Sequence, residues 1–334
     1  MAVTEGIEVR SVRRAWRGPL LVLASLAGAG FLVRAVEGAG IAAAQNFLLV
    51  FASLLIEALP LIDLGAAVSA AIEVLIPSRV FARVAGLPRS LQMPVAAMGG
   101  FAFPVCECGS VPVARRLVIK GLSPAAAVTF MLAAPVLNPV VLIATAIAYR
   151  GRDILWPMVI GRAGLALVVA MTVGWLVGRR PRDQLLRSTP QEHEEHAAPG
   201  EGRGPRYFGQ LGADFLMLAR YLIVGAAVAA ALQTFVPQSL IASVSGTPVL
   251  DIVALMLLAA ALSLCSESDA FVAASFVQFS FAAQLAFLVA GPMFDAKLAA
   301  LYAGTFGRGF VRTVAIGVFS VTLAGALWLQ VIFG

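Results

Sequence analysis

Seven stretches of the chain are poor in charge and rich in Leu, Val, Ala, Ile and Phe: residues 19–36, 47–76, 123–149, 155–178, 212–236, 281–303 and 309–333. Each is near or above the roughly 20 residues that a helix needs to cross a bilayer. None alternates strictly between apolar and polar positions as a barrel strand does, and a bilayer accepts only helices or closed barrels because lipid cannot satisfy a free backbone polar group. The pattern predicts an all-α integral membrane protein. The first run follows Arg10, Arg13, Arg14 and Arg17 as a signal peptide would, but it is long and lacks a convincing cleavage site, so it reads as an uncleaved anchor helix.

Two more apolar segments, 91–116 and about 250–277, are interrupted by polar residues at their centres. The first carries Val105-Cys106-Glu107-Cys108-Gly109-Ser110 and the second Leu264-Cys265-Ser266-Glu267-Ser268-Asp269; these hold all three cysteines of the protein. A second signature follows each, Ala133-Ala134-Pro135-Val136-Leu137-Asn138 and Ala290-Gly291-Pro292-Met293-Phe294-Asp295. Cys265 follows Cys106 by 159 positions and Pro292 follows Pro135 by 157, so the chain reads as one unit present twice. Duplicated units with helix-breaking, polar centres are the sequence pointer to a transporter's binding site at mid-membrane.

With 60% hydrophobic and 13% charged residues and a mean hydropathy of +0.92, the composition agrees with a membrane solvent. The net charge of +6 does not read as nucleic-acid binding, since in such a chain the placement of Arg and Lys reports orientation. Arginines crowd the N-terminus, the loop with Arg79, Arg83 and Arg89, the stretch Arg115-Arg116 to Lys120, and the segment with Arg179, Arg180, Arg182 and Arg187. If all face the cytoplasm, 91–116 enters and leaves on one side as a re-entrant hairpin, bending near Gly99-Gly100 or Phe103-Pro104. The uncharged loops of the second half, and Arg308 and Arg312 beside its last, put the hairpin at 250–277 on the opposite side. The expected architecture is two inverted repeats, each with a re-entrant or broken-helix hairpin, plus one extra N-terminal helix. Nine full crossings with parallel halves is the competing arrangement.

The boundaries follow: 1–45 for a cytoplasmic N-terminus and anchor helix, 46–178 for the first transmembrane repeat, 179–208 for a flexible cytoplasmic linker and 209–334 for the second repeat. The linker is rich in Arg, Glu, Pro and Gly and cannot bury enough apolar surface to fold alone. Both histidines, His193 and His196, lie in it among glutamates; a solvated tether is the plain reading and divalent-metal binding the alternative.

Thiols are soft ligands suited to thiophilic metals and metalloids. Cys106 and Cys108 can share a site only where the backbone is irregular, as Gly109 and Pro112 suggest. The pattern is not the CxxC or Cys/His spacing of structural zinc. Matching the repeats sets Cys265 against Cys106 and Glu267 against Cys108, so the centre offers three sulfurs and a carboxylate. Cysteine is also a common small core residue, most simply so for Cys265. An acid at membrane depth is costly without a role, which singles out Glu107 and, on the second run, Glu57 as a proton-coupling candidate ahead of Asp63 and Glu73. Asn138 and Asp295, each after a matched proline, are placed to line the path, and Asp269 with Lys297 is a candidate intramembrane pair. Gly174 and Gly178 have the spacing of a close helix contact. The nine methionines form no cluster, and no nucleotide fingerprint or nucleophile elbow is present, so no cofactor and no ATP hydrolysis is expected.

Phe103-Pro104-Val105-Cys106-Glu107-Cys108-Gly109-Ser110-Val111-Pro112, then Gly121-Leu122-Ser123-Pro124 and Ala134-Pro135-Val136-Leu137-Asn138-Pro139, resembles the YraQ-like predicted permeases, the wider family of the ArsP organoarsenical-efflux proteins. The resemblance covers about 46–333. It implies a multi-pass permease of the bacterial cytoplasmic membrane. The partners expected for the chain are a small-molecule or ion substrate and the lipid bilayer, with a homo-oligomer open and no nucleic acid. The expected function is a secondary permease, proton-driven, exporting a soft, thiol-reactive solute. Its substrate contacts would be Cys106, Cys108, Cys265, Glu107, Glu267, Asn138, Asp295 and Asp269, and Cys106 and Cys108 would hold the solute transiently if it is a metal or metalloid. Two alternatives stay open: a permease for an inorganic anion or small sulfur-containing solute using Asn138 and Asp295, and a membrane-embedded thiol redox enzyme using Cys106 and Cys108.

Overall fold

The computed structural model describes residues 40–75, 86, 88–102, 105–179, 203–235 and 248–333. The anchor helix expected at 19–36, the linker histidines, Arg79, Arg83 and the Phe103-Pro104 bend lie outside the described residues. All regular structure among the described residues is α-helical. Six helices are long and apolar enough to cross a membrane, within 43–75, 124–148, 155–177, 207–235, 281–305 and 308–332. They match the six described runs read from the sequence, and the chain is an all-α, multi-pass membrane protein.

The elements come in the same order twice. α1 (Gly40–Leu75) is followed by the short α2 (Arg89–Ala102) and α3 (Glu107–Ile119), the pieces α4 (Pro124–Leu137) and α5 (Pro139–Ala148), and α6 (Leu155–Val177). Then come α7 (Arg203–Phe235), α8 (Pro248–Leu262), α9 (Asp269–Ser275), α10 (Phe281–Met293), α11 (Ala296–Thr305) and α12 (Arg308–Phe333). The 14 and 13 residues of α2 and α3 give rods of about 20 Å, too short for a hydrocarbon core of about 30 Å. The arms of the second interrupted segment, 15 and 7 residues, are also too short.

Matched residues build matched features. Ser123 and Ser280, 157 positions apart, cap α4 and α10 by accepting from Ala126 N and Ala283 N. Pro135 and Pro292 each remove a helical N–H shortly before the chain breaks. The next pieces are then capped by Asn138, whose Oδ1 accepts from Val140 N at 3.0 Å, and by Asp295, whose Oδ1 accepts from Leu298 N at 2.7 Å. The runs 123–149 and 281–303 are therefore two broken helices whose freed backbone groups find side-chain partners, as membrane depth demands.

The long helices α1 and α7 pack along each other, as do α6 and α12, and α4 meets α10. Within each half α2 and α8 pack on α4 and α10, which pack on α6 and α12. Between halves the contacts cross: α3 touches α11, and α9 touches α5. Close approach is bought with missing side chains, since a Cβ at Gly65 of α1 would collide with the Gly109 backbone of α3, and Cβ atoms at Gly174 and Gly178 would strike Thr129 and Ala125 of α4. One expected boundary shifts: α7 begins at Arg203, inside the stretch assigned to the linker, because Pro205 sits in the first turn where its missing N–H costs nothing.

Candidate functional site

The N-terminal ends of α3, α5, α9 and α11 carry the predicted site residues, and a helix N-terminus has a partial positive charge that favours acids in its first turn. Cys106 caps α3 with extended backbone (φ −71°, ψ 173°), and its Sγ accepts from Gly109 N at 3.3 Å. The extended backbone is at Cys106 itself, whereas Gly109 and Pro112, where the sequence suggested an irregularity, lie within the helix. Cys106, Glu107 and Cys108 are all buried, and the three thiols of the protein are free.

The second cysteine segment enters through Ser263, which holds a left-handed conformation (φ 49°) uncommon outside glycine. The Cys265 carbonyl accepts from Ser268 N and Asp269 N, each at 3.0 Å, and starts α9. Cys265 is buried, whereas Glu57 of α1 is exposed on its helix. Glu267 is half-buried.

The two cysteine segments meet. Ser266 Oγ donates to Glu107 Oε2 at 3.2 Å across a separation of 159 residues, the same offset that relates Cys106 to Cys265. Lys297 Nζ stands 3.8 Å from Glu107 Oε1 and 3.9 Å from Asp295 Oδ2, so one cation faces an acid from each half. Arg162 of α6 is fully buried and joins two segments to its own helix: NH1 donates to Thr145 Oγ1 at 2.8 Å, and NH2 to Asp269 Oδ2 at 2.9 Å and to the Ser266 carbonyl at 3.1 Å. A polar path therefore runs from α5 through Arg162, Ser266 and Glu107 to Lys297 and Asp295.

The candidate pair Asp269 with Lys297 is replaced by two others, since Arg162 meets Asp269 while Lys297 lies between Glu107 and Asp295. Sequence reading missed Arg162 inside the run 155–178; a lone arginine in a spanning helix was the available signal. Asn138 is buried and spends its side chain on the α5 cap. Among the described residues no three His, Cys, Asp or Glu side chains are grouped so as to hold a metal ion.

A second buried cluster sits at the other end of α3. Arg116 lies 3.4 Å from Glu73 of α1 and 3.6 Å from Asp214 of α7, Lys120 pairs with Glu73 at 2.9 Å, and Asp214 accepts from Ser69 at 2.7 Å and Gln210 at 3.0 Å. Arg115 and Arg116, read from the sequence as part of a cytoplasm-facing basic stretch, are buried in the helix.

A multi-pass helical membrane protein, with two interrupted segments and two broken helices converging on buried charge and thiols, has the layout of a transporter. The chain belongs to the predicted-permease family ArsP_1, whose pattern matches residues 43–330. It is 38% identical over 286 residues to the UPF0718 protein YcgR of Bacillus subtilis (strain 168), covering 84% of this chain and 96% of that one. It is 34% identical over 268 residues, 79% of this chain and 88% of the other, to a Streptococcus mutans serotype c protein whose name proposes it as a subunit of a two-component membrane permease complex. No solved structure matches the chain with significance.

Proposed function

We propose that the protein is a secondary permease of the bacterial cytoplasmic membrane that exports a soft, thiol-reactive solute of the trivalent arsenical type in exchange for protons. Two re-entrant hairpins in halves of opposite orientation would expose the central site alternately to each side. The observation that carries the reading is the direct contact of the two cysteine segments, Ser266 with Glu107, inside a buried set of ionisable groups drawn from both halves. Such groups are expensive in a membrane protein and are kept where they line a path or bind a solute. Cys106 and Cys108 would bind the solute, with Cys265 assisting, because sulfur holds a soft centre that oxygen does not.

The test is efflux of phenylarsenite from proteoliposomes containing the purified chain. Cys106→Ser with Cys108→Ser keeps side-chain size and exchanges soft sulfur for hard oxygen, and is expected to lower flux at least about tenfold, equivalent to about 1.4 kcal/mol, with protein yield unchanged. Cys265→Ser should have a smaller effect. Wild-type flux in the double serine variant would transfer the site to Asn138 and Asp295 and to a harder solute.

A further inference from the structure

The group formed by Glu107, Lys297 and Asp295 is incomplete. Lys297 Nζ is an ammonium with three protons to donate, its residue is 1% exposed, and its carboxylate contacts of 3.8 and 3.9 Å are too long for hydrogen bonds. The two oxygens that face it, Glu107 Oε1 and Asp295 Oδ2, are both buried and neither has a hydrogen-bond partner. The other oxygen of each is used: Glu107 Oε2 accepts from Ser266, and Asp295 Oδ1 caps α11. Two ionised carboxylates and one ammonium leave a net charge of −1. A buried charge without a partner costs several kcal/mol, so the group has a strong physical demand for one more positive charge.

Among the described residues the surroundings supply no further cation for it. On its own helix Asp295 is faced by Lys297 and Tyr302, whose hydroxyl donates to the Met293 carbonyl at 3.1 Å. From α3 come Glu107 and Cys108, and from the segment before α9 comes Cys265. α7 approaches through Gly225 against the Lys297 backbone, and α12 through Phe319 against Phe294. Beyond Glu107 lie Glu267 and Glu57, both acidic, and the other buried cation of the site, Arg162, is committed to Asp269.

We propose that Asp295 is the proton-exchange site of the transport cycle, its free oxygen Oδ2 taking up one proton on one side of the membrane and giving it back on the other, with Lys297 as the internal counter-ion when it is ionised. On uptake an O–H bond forms at Oδ2, the group becomes neutral, and Lys297 is left to Glu107 alone. On release the bond breaks, the proton returns to water and Lys297 is again shared. Asp295 sits at the helix break of the second half and Glu107 at the cysteine tip of the first, so each proton transfer changes the electrostatic tie between the halves. The inference rests on the reading of the chain as a secondary permease, and it moves the proton-coupling role from Glu57 to Asp295.

Two measurements test it separately. In pH-difference infrared spectra of the purified protein in lipid nanodiscs, acidification is expected to produce a protonated-carboxyl C=O band that Asp295→Asn removes; asparagine caps a helix as well as aspartate does, so α11 keeps its start. In proteoliposomes with the membrane potential clamped, phenylarsenite accumulation by the wild type should rise about tenfold per unit of pH gradient for one-for-one exchange. Asp295→Asn should show no response to the gradient. Lys297→Gln serves as the second variant: the gradient response is lost while the carboxyl band remains. An unchanged band in Asp295→Asn, or a wild-type gradient response in either variant, overturns the proposal. If the wild type moves no phenylarsenite, the reading of the solute fails and the infrared comparison alone decides the proton site.

Discussion

Arg162 is the residue on which most of the site's order depends. It is fully buried, and its three hydrogen bonds hold α5, the Ser266 carbonyl and Asp269 to α6. Removing one partner of a buried ion pair strands the other, at a cost of about 3–5 kcal/mol. Arg162→Met is therefore expected to lower thermal stability in detergent and membrane abundance, and Arg162→Met with Asp269→Leu to recover much of the loss; full wild-type stability in the single variant would remove Arg162 from this role. Which polar residues the fold buries was partly legible: Cys106, Glu107, Cys108, Asp269 and Asp295 stand out because polar groups are rare and costly in apolar sequence. Their partners were not. Pairing Asp269 with Arg162, and Lys297 with Glu107, joins residues far apart in the chain, and charge alone does not say which acid a lysine will face.

At the scale of elements, the chain announces its breaks. Pro135 and Pro292 with Asn138 and Asp295 mark two broken helices, and Ser123 and Ser280 mark where they begin, because proline and capping residues act locally. The start of α7 at Arg203 was hidden by the Gly and Pro around it, and the burial of Arg115 and Arg116 was hidden because Glu73 and Asp214, which face Arg116, come from other helices. The short arms α2 and α3 lead to a topological expectation. Single cysteines at Leu91 and Ile119, both exposed, should react with a membrane-impermeant maleimide from the same side. Labelling from opposite sides would replace the hairpin with a full crossing.

At the scale of the molecule, the paired order of elements and the crossed contacts of α3 with α11 and α9 with α5 bring both cysteine segments to one place. A permease needs that place to be reachable from each side in turn; a thiol enzyme or a merely packed core does not. The decisive measurement is labelling of the native Cys106 and Cys108 in a Cys265→Ser background, using a small impermeant thiol reagent on right-side-out and inverted vesicles, with and without phenylarsenite. Labelling from both faces of the membrane, with protection by the arsenical on both, is the expected result. Labelling from one face only, or labelling that the arsenical leaves unchanged, would contradict an alternating, thiol-lined site.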